Sequence, residues 1–367
     1  MKLIYISEAL RMFSRSLYVR KHGFHKYSGD DVKIAKQVIG SCWDKEKSYF
    51  RVSSGHFNEF YCRDFGMCAE SLVKLGYRKR VIQTLDYALS CFRKHGRITT
   101  SISAKGVCFD FPCYGADSLP FIIHALRISK AKGLIKEYGP FLRGETDHYF
   151  REVFDNRSSL VRAGKHFSSM KDYARRSSSC YSNCMLAMLS DDLSALRVYN
   201  PFSDYDVKKS ILHHFWNGRY FYDDLSRQRV VTGDANTFPF WCGVVDSKSI
   251  FGMCMEAMEK EGLTSPFPLK YTSRPGKIHR MHFLEFFAGD YERDSIWMHL
   301  GLCFLDVVKR YDKKRFSIYM KQYWSLMKEH RNFLEVYGKD GKPFSNFFYY
   351  SDESMVWVSK WLCLKKY

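Results

Sequence analysis

The sequence predicts an all-α fold, an (α/α)6 barrel with short β-hairpins in the loops on the side that carries the chemistry. Apolar residues recur every three or four positions over most of the chain, a spacing that places them on one face of a helix. The helices follow one another in pairs, and some of the connecting loops are long and rich in aromatic residues. A helical bundle prefers uniformly short connections, so a ring of paired helices fits this pattern better.

Helical segments run along the whole chain, interrupted by short strand-like stretches. Periodicity predicts helices over residues 31–43, 65–75, 79–93, 119–132, 141–154, 169–188, 205–214, 247–261, 295–311, 316–330 and 353–364. The segment "FWNGRYFYDD" alternates aromatic and polar residues around Asn217 and Gly218, a dipeptide typical of hairpin turns. The segment "NFLEVYGKDGKPF" also has strand character. No Gly/Ser/Pro-rich linker divides the chain, so residues 1–367 are predicted to form a single domain.

Aromatic and basic residues are both abundant. Phe, Trp and Tyr make up 17% of the chain, and aromatic faces bind sugar rings and nucleobases. The formal net charge of +19 would suit an anionic partner. However, the basic residues are spread over the whole length, and their densest groups fall on polar helix faces or in turns. This distribution favours a solvated surface, and nucleic acid is a disfavoured partner.

The cysteines and histidines show no metal-binding pattern. The twelve cysteines include no C-x-x-C pair, and no second pair of ligands follows Cys180 and Cys184 at zinc-ligand distance. His213 and His214 are adjacent on one predicted helix and face different directions. We therefore expect no metal and no cofactor, although calcium bound by loop carbonyls is left open.

The N-terminus lacks the features of a targeting segment. Its apolar run is short, a charge follows directly, and there is no small-residue cleavage site. No stretch of the chain approaches the length that spans a bilayer. A cytoplasmic protein with no membrane partner is expected, because its cysteines also suit a reducing compartment.

Three acidic positions lie where loops enter or leave predicted helices. They are the Arg63–Asp64 pair, Asp117 in "DFPCYGADSLPF" and Glu335 in "NFLEVYGKDGKPF". Each has a structural alternative, because aspartate caps helices well and both Asp64 and Asp117 directly precede a predicted one. Glu335 would equally suit a solvent-facing position on an edge strand.

The surroundings of two of these carboxylates suit a pocket. Glu335 interrupts an apolar and aromatic run at residues 333–337, and Asp117 follows Tyr114, Gly115 and Ala116. Glycoside hydrolysis needs one protonated carboxyl that donates to the leaving oxygen and one carboxylate on the side of the anomeric carbon. Aromatic platforms and polar side chains then hold the sugar. The inventory of the chain matches these needs.

An ordered set of motifs resembles a known superfamily. The segments "YCRDFGMCAESLVKLG", "GADSLPFIIHAL", "FWNGRYFYDD", "GDANTFPFW" and "LEVYGKDGKPF" occur in the order found in six-hairpin, (α/α)6-barrel glycosidases. The nearest likeness is to neutral/alkaline invertases and to amylo-α-1,6-glucosidase-like debranching domains. The resemblance runs from about Tyr61 to Leu364. The chain lacks the additional domain of many relatives, and "LEVYG" differs from the Pro-Glu-Tyr-Tyr-Asp of the invertases.

The resemblance implies roles for individual residues. It implies that Asp117 is the general acid and Glu335 the general base. We expect their pKa values to differ, because a less polar environment raises that of Asp117 and hydrogen bonds keep Glu335 ionised. The residues implied to hold the sugar are Tyr61, Arg63, Asp64, Asp234, Asn236, Trp241 and Trp297, together with Asp172 and Arg175 in "KDYARRSSSCY". For Asp172 and Arg175, the structural alternative is an ordinary charge on a helix surface. For Trp297, it is a tryptophan packed in the core.

The sequence thus predicts an inverting glycoside hydrolase that acts on an α-linked glucoside or a short α-glucan. The alternatives are a sucrose-hydrolysing, invertase-like enzyme and a catalytically retired barrel that binds carbohydrate or RNA. The expected partner is an oligosaccharide or small glycoside. The oligomeric state, the sugar and the linkage are left open.

Overall fold

The computed structural model describes residues 3–273, 279–280, 289 and 291–366, and it is mostly helical. The helices are α1 (Leu3–His22), α2 (Asp31–Ser41), α3 (Cys62–Leu72), α4 (Arg78–His95), α5 (Ser118–Ser129), α6 (Lys132–Glu137), α7 (Gly139–Glu152), α8 (Cys180–Leu196), α9 (Val207–Phe215), α10 (Phe238–Trp241), α11 (Lys248–Lys260), α12 (Met298–Tyr311), α13 (Lys313–His330) and α14 (Val358–Lys366). A π-helical turn, Val73–Tyr77, joins α3 to α4.

The strands are two residues long and lie in the connections. They are β1 (Trp43–Asp44), β2 (Tyr49–Phe50), β3 (Phe60–Tyr61), β4 (Ser101–Ile102), β5 (Cys108–Phe109), β6 (Phe154–Asp155), β7 (Leu160–Val161), β8 (Ala174–Arg175), β9 (His279–Arg280), β10 (Ile296–Trp297) and β11 (Val336–Tyr337). The pairs are antiparallel: β1 with β2, β3 with β4, β4 with β5, β6 with β7, β8 with β9, and β10 with β11.

Six helices contact one another in a closed order. α3 packs against α5, α5 against α8, α8 against α10, α10 against α12, α12 against α14, and α14 against α3. Helices α2, α4, α9 and α13 pack on the outside of members of this ring. The ring helices are apolar on every side because they are surrounded, and residues 118–126 of α5 are all buried. By contrast, the buried residues of the outer helix α13 are Tyr319, Tyr323 and Met327.

Capping side chains fix where several helices begin. Asp30, Ser179, Asp206, Ser247 and Asp312 each accept a backbone N–H from the first turn of the helix that follows. At the start of α3 and α5 no side chain makes such a bond, although Asp117 occupies the capping position of α5. The capping alternative therefore does not explain Asp64 or Asp117, whose side chains are engaged elsewhere.

The first helix, α1, clasps two loops of the molecule. Arg11 forms an ion pair with Glu59, and Arg15 forms one with Glu353. The Ser16 hydroxyl accepts the backbone N–H of Tyr350 at 3.0 Å. The sequence predicts no helix here, because polar residues interrupt the apolar pattern. The helix is held by ion pairs instead of a broad apolar face.

The observed elements confirm most of the predicted helices and correct one of them clearly. Residues 169–179 form a loop with the short strand β8, and α8 begins only at Cys180. Ser177, Ser178 and Ser179 oppose helix formation, since serine hydroxyls bond readily to nearby backbone groups, and Ser178 has a positive φ of 53°. The predicted hairpin around Asn217 is confirmed by an antiparallel bridge between Trp216 and Phe221.

No helix within the described residues has both the length and the apolar composition needed to cross a bilayer.

Gly66 allows α3 and α5 to approach closely, and a substitution there tests this contact. A Cβ atom at Gly66 would lie 2.4 Å from the Phe121 Cβ, so Gly66→Ala should lower the free energy of unfolding by about 1–3 kcal/mol through overpacking. The matched control is Gly144→Ala in α7, where the added Cβ meets nothing within 4 Å. This control should stabilise by about 0.5–1 kcal/mol, because alanine favours a helix. Equal effects in chemical denaturation would contradict the close approach.

Candidate active site

The first turns of the ring helices bring Arg63, Asp117 and Tyr181 together. Arg63 Nε donates to Asp117 Oδ2 at 2.6 Å, and the Tyr181 hydroxyl donates to the same oxygen at 2.7 Å. The side chain of Asp117 is only 2% exposed. Two donors thus meet on one oxygen, and one of them is a guanidinium. Asp117 is thus built as the counter-ion of Arg63.

Arg63 also reaches a second carboxylate, Asp172, from the loop that precedes α8. The terminal guanidinium nitrogens lie 3.4 and 3.5 Å from the Asp172 carboxylate oxygens. The Ser168 hydroxyl donates to Asp172 Oδ1 at 2.6 Å. The Asp172 side chain is 23% exposed, far more than that of Asp117. Of the two carboxylates at Arg63, Asp172 is the one that faces solvent.

Glu292 positions the backbone of Asp172. Its carboxylate accepts the backbone N–H groups of Asp172 and Tyr173 at 2.7 and 2.8 Å. Burial and the neighbouring charge of Asp172 raise the pKa of Glu292 to about 8. Glu292 is therefore protonated at neutral pH.

Glu335 lies just before β11 and is buried, with 2% of its surface exposed. The Tyr291 and Tyr349 hydroxyls are hydrogen-bonded to its two oxygens, and the backbone N–H of Asp352 donates at 3.0 Å. The alternative of a solvent-facing Glu335 is thereby excluded. Burial, together with the charge of Asp352, raises its pKa to about 8 in spite of the two hydroxyls. The expectation that hydrogen bonds keep Glu335 ionised is wrong, because burial outweighs them.

Aromatic residues join the two acidic groups. The Tyr173 ring lies 6.4 Å from that of Tyr291, whose hydroxyl bonds to Glu335. The charges of Glu292, Asp172 and Glu335 all act on Tyr173 and, after burial, raise its pKa further. Asp172 and Glu335 therefore lie on two sides of one aromatic site.

Asp64 and the tryptophans form another part of this site. Trp357 Nε1 donates to Asp64 Oδ1 at 2.9 Å, and burial raises the pKa of Asp64 to about 6. The His299 ring lies 4.6 Å from Trp357 and 5.0 Å from Trp297. Trp297 is 7% exposed, and its indole N–H donates to the Tyr291 carbonyl.

Tyr61 lies at the entrance of α3 and is partly buried. It packs edge-on against Phe57, with ring centroids 6.1 Å apart. Burial raises the pKa of Tyr61 well above its ordinary value.

Asp234 and Asn236 are committed to contacts within the protein. Asp234 is fully buried between Lys171 and Arg176, whose charges lower its pKa to about 2 although burial opposes this. The Asn236 amide bonds to backbone groups of Phe221 and Thr232. These contacts give both residues a structural role, which the sequence pattern alone does not distinguish from sugar binding.

The last two residues predicted to hold the sugar are Trp241 and Arg175. Trp241 packs against Phe121 and His124, inside the ring, and donates to Asp306 at 3.2 Å. Arg175 is exposed in β8. The structure thus brings together, toward one end of the ring, the following predicted residues: Arg63, Asp64, Asp117, Asp172, Trp297 and Glu335.

Sequence reasoning missed several polar residues of the site. They are His56, Tyr181, Glu292, Tyr291, His299, Tyr349 and Asp352. Three signals could have found some of them. The aromatic run "NFFYYSDE" puts Tyr349 and Asp352 near Glu335, "KDYARRSSSCY" ends in Tyr181, and His299 follows Trp297 by two residues. His56 has no such signal and joins the site only through the fold.

The fold is that of known glycosidases. A rhamnosidase from Klebsiella oxytoca with rhamnose bound is similar with a TM-score of 0.65 and 13% identity, over 92% of this chain and 64% of that chain. A GH63 mannosylglycerate hydrolase from Thermus thermophilus, in complex with glucose, has a TM-score of 0.62 and 12% identity, over 92% of this chain and 100% of its own. A glycosidase variant in complex with glucose has a TM-score of 0.63 and 11% identity, over 98% of this chain and 96% of its own.

These neighbours are members of the six-hairpin (α/α)6 glycosidase superfamily, which confirms the resemblance at the level of fold. The particular likeness to invertases stays a prediction. No family model matches the sequence, and no curated protein matches it either. At 11–13% identity, the likeness establishes the fold alone.

The raised pKa of Glu335 should make stability depend on pH. Its pKa in the folded protein, about 8, exceeds the ordinary 4.5, so its contribution is full below pH 4.5 and is lost as the pH rises through 8. Glu335→Gln cannot ionise, so its melting temperature relative to the wild type should increase between about pH 5 and 8.5. The control is Glu152→Gln, an exposed carboxyl whose pKa is lowered by Lys165. A constant difference for Glu335→Gln across this range would show that Glu335 is not titrating there.

Proposed function

We propose that the protein is an inverting glycoside hydrolase that acts on an α-linked glucoside or a short α-glucan. The closed ring of six helices would form the inner wall of an (α/α)6 barrel, and residues 1–367 would form a single catalytic domain. The observation that carries this proposal is the placement of Glu335 and the Asp172–Glu292 pair on two sides of one aromatic site. Solved proteins of the same fold have rhamnose or glucose bound, which supports a sugar as the ligand.

Asp172 is better suited than Asp117 to be the general acid. A general acid must carry a proton and reach the leaving oxygen. Asp117 is buried, and its carboxylate is bonded to Arg63 and Tyr181, which withdraws it from a substrate. Asp172 is partly exposed, its contact with Arg63 is longer, and it adjoins a carboxyl that retains a proton at neutral pH. The proposed acid is therefore Asp172, in place of the expected Asp117, which instead orients Arg63.

Glu335 is the proposed base. As the base it accepts a proton from the attacking water while Asp172 donates one to the leaving oxygen, which inverts the anomeric centre. The Tyr291 and Tyr349 hydroxyls and the Asp352 N–H fix its carboxylate in one orientation. Since it must be ionised to act, kcat/KM should rise with pH toward a pKa near 8.

The remaining polar and aromatic groups would hold the sugar. Arg63 and Asp64 face the site from the first turn of α3, and charged or carboxylate groups bond well to sugar hydroxyls. Trp297 and Trp357 provide ring faces beside them. No residue in this scheme requires a cofactor.

The overall function is tested by turnover of sugars with analysis of the product anomer. The wild-type protein should hydrolyse at least one α-glucoside from a panel that includes maltose, trehalose and sucrose, and NMR should show the β-anomer forming first. Turnover of sucrose alone would identify the invertase-like alternative. Absence of turnover together with sugar binding would identify a retired barrel, and salt-dependent binding of RNA would favour the nucleic-acid alternative.

The assignment of the acid is tested by two matched amide variants. Asp172→Asn should reduce kcat on substrates with poor leaving groups by about 10²–10⁴-fold, the usual worth of general acid catalysis, and should retain more activity on an activated glucosyl fluoride. Asp117→Asn should chiefly raise KM and lower the melting temperature, because Arg63 loses its counter-ion. The reverse pattern, with fluoride rescue in Asp117→Asn only, would restore Asp117 as the acid.

A further inference from the structure

His56, Tyr349 and Glu335 form a hydrogen-bonded chain, with Asp352 beside the imidazole. His56 Nε2 lies 3.0 Å from the Tyr349 hydroxyl, which is bonded in turn to Glu335 Oε2. His56 Nδ1 lies 3.4 Å from Asp352 Oδ1, an ion-pair distance. His56, Asp352 and Glu335 are each at most 2% exposed, and Tyr349 is partly buried.

The chain is held rigidly by the loop that carries His56. Asp352 accepts the backbone N–H groups of His56 and Phe57 at 2.9 and 3.0 Å, and it also accepts the Ser53 hydroxyl. Gly55 lies against the same carboxylate, where a Cβ would come within 1.9 Å of Asp352 Oδ1. The imidazole is therefore fixed between Asp352 and Tyr349.

The Tyr349 hydroxyl has one proton and two neighbours that can take it, His56 Nε2 at 3.0 Å and Glu335 Oε2. When Glu335 is ionised, the hydroxyl donates to its carboxylate. When Glu335 is protonated, the carboxyl donates to the Tyr349 oxygen, and the hydroxyl donates to His56 Nε2. Burial raises the pKa of Glu335 to about 8, which keeps a proton on this carboxyl at neutral pH.

We propose that His56, held by Asp352, is a positioning residue that exchanges this proton with Glu335 through the Tyr349 hydroxyl. The inference rests on the proposed function, in which Glu335 is the base. It assigns to His56 the control of when Glu335 is free to accept a proton from water.

The exchange moves protons without changing the net charge. In one state, Glu335 donates to the Tyr349 oxygen, Tyr349 donates to His56 Nε2, and the protonated Nδ1 of His56 faces Asp352. The Glu335 proton then passes to Tyr349 as the Tyr349 proton passes to His56. In the second state, His56 is an imidazolium that donates to Tyr349 and is paired with Asp352, and Tyr349 donates to the Glu335 carboxylate.

The surrounding charges favour the first state at rest. Burial lowers the pKa of His56 to about 4, opposed by Asp352 and reinforced by Arg11 and Arg15 of α1. Burial raises the pKa of Glu335 to about 8, reinforced by Asp352 and opposed by Tyr291 and Tyr349. A cationic transition state beside Glu335 would favour the second state, because it is stabilised by the ionised carboxylate.

The experiment measures the pKa of Glu335 by carboxyl ¹³C NMR in the full-length protein, with its signal assigned by Glu335→Gln. In His56→Phe, Tyr349 loses its acceptor and donates to Glu335, so the Glu335 pKa should fall by about one unit. In Tyr349→Phe, Glu335 loses a donor and its pKa should rise. The opposite signs distinguish the relay from a general loss of packing. An unchanged or raised pKa in His56→Phe would overturn the proposal.

The matched control is His124→Phe. His124 is also a histidine bonded to an aspartate, with Nδ1 2.8 Å from Asp192 Oδ2, and it lies outside the chain that ends at Glu335. This variant should leave the Glu335 pKa unchanged. If His56→Phe does not fold, the ¹⁵N signals of His56 in the wild type decide: they should shift as Glu335 titrates near pH 8 and cease to do so in Tyr349→Phe. Their failure to follow Glu335 in the wild type would overturn the relay.

Activity provides the second readout. Once a substrate that the wild type hydrolyses is known, His56→Phe should lower kcat about 10-fold, with little change in KM. This loss is part of the ~10²–10⁴-fold that positioned proton transfer contributes to rate. An unchanged kcat would overturn the role of His56 in the reaction. If the wild type hydrolyses no sugar, the proposed function fails, whereas the NMR measurements still test the proton relay by themselves.

Discussion

The Arg63 guanidinium is the interaction on which the acidic end of the ring depends. It is bound on one side by Asp117, at the start of α5, and on the other by Asp172, in the loop before α8. One cation thereby fixes three segments of the chain relative to one another. Without it, Asp117 would be a buried charge with no cation, a situation that costs about 3–5 kcal/mol when one partner of a buried pair is removed. The position of Asp172 follows from the same contact.

Much of the fold is predictable from the sequence because most helices bury apolar residues that recur at the helical period. Periodicity identifies α4, α9 and α11 within a few residues. It fails for α1, whose contacts are ion pairs to distant loops, and for residues 169–179, where side chains such as Lys171 bond to carboxylates far along the chain. Local pattern carries no information about partners at that distance.

The site is less predictable than the fold, for the same reason. The sequence motifs locate Arg63, Asp64, Asp172 and Glu335, but they do not tell which carboxylate is paired and which is exposed. That distinction arises from tertiary contacts, as with Asp117, which has the motif of a catalytic acid and the environment of a counter-ion. Likewise, the sequence shows hydroxyl donors near Glu335 but not the burial that outweighs them.

The clasp made by α1 gives the start of the chain an influence over the proton chemistry at the other end. Arg11 and Arg15 grip Glu59 and Glu353, which flank the loops that carry His56 and Asp352, and their charges act on the imidazole itself. Through these charges the first helix acts on the histidine beside the proposed base. A peptide, tag or cleavage that displaced α1 would therefore change the protonation of His56 from a distance, without altering any residue proposed to hold the sugar.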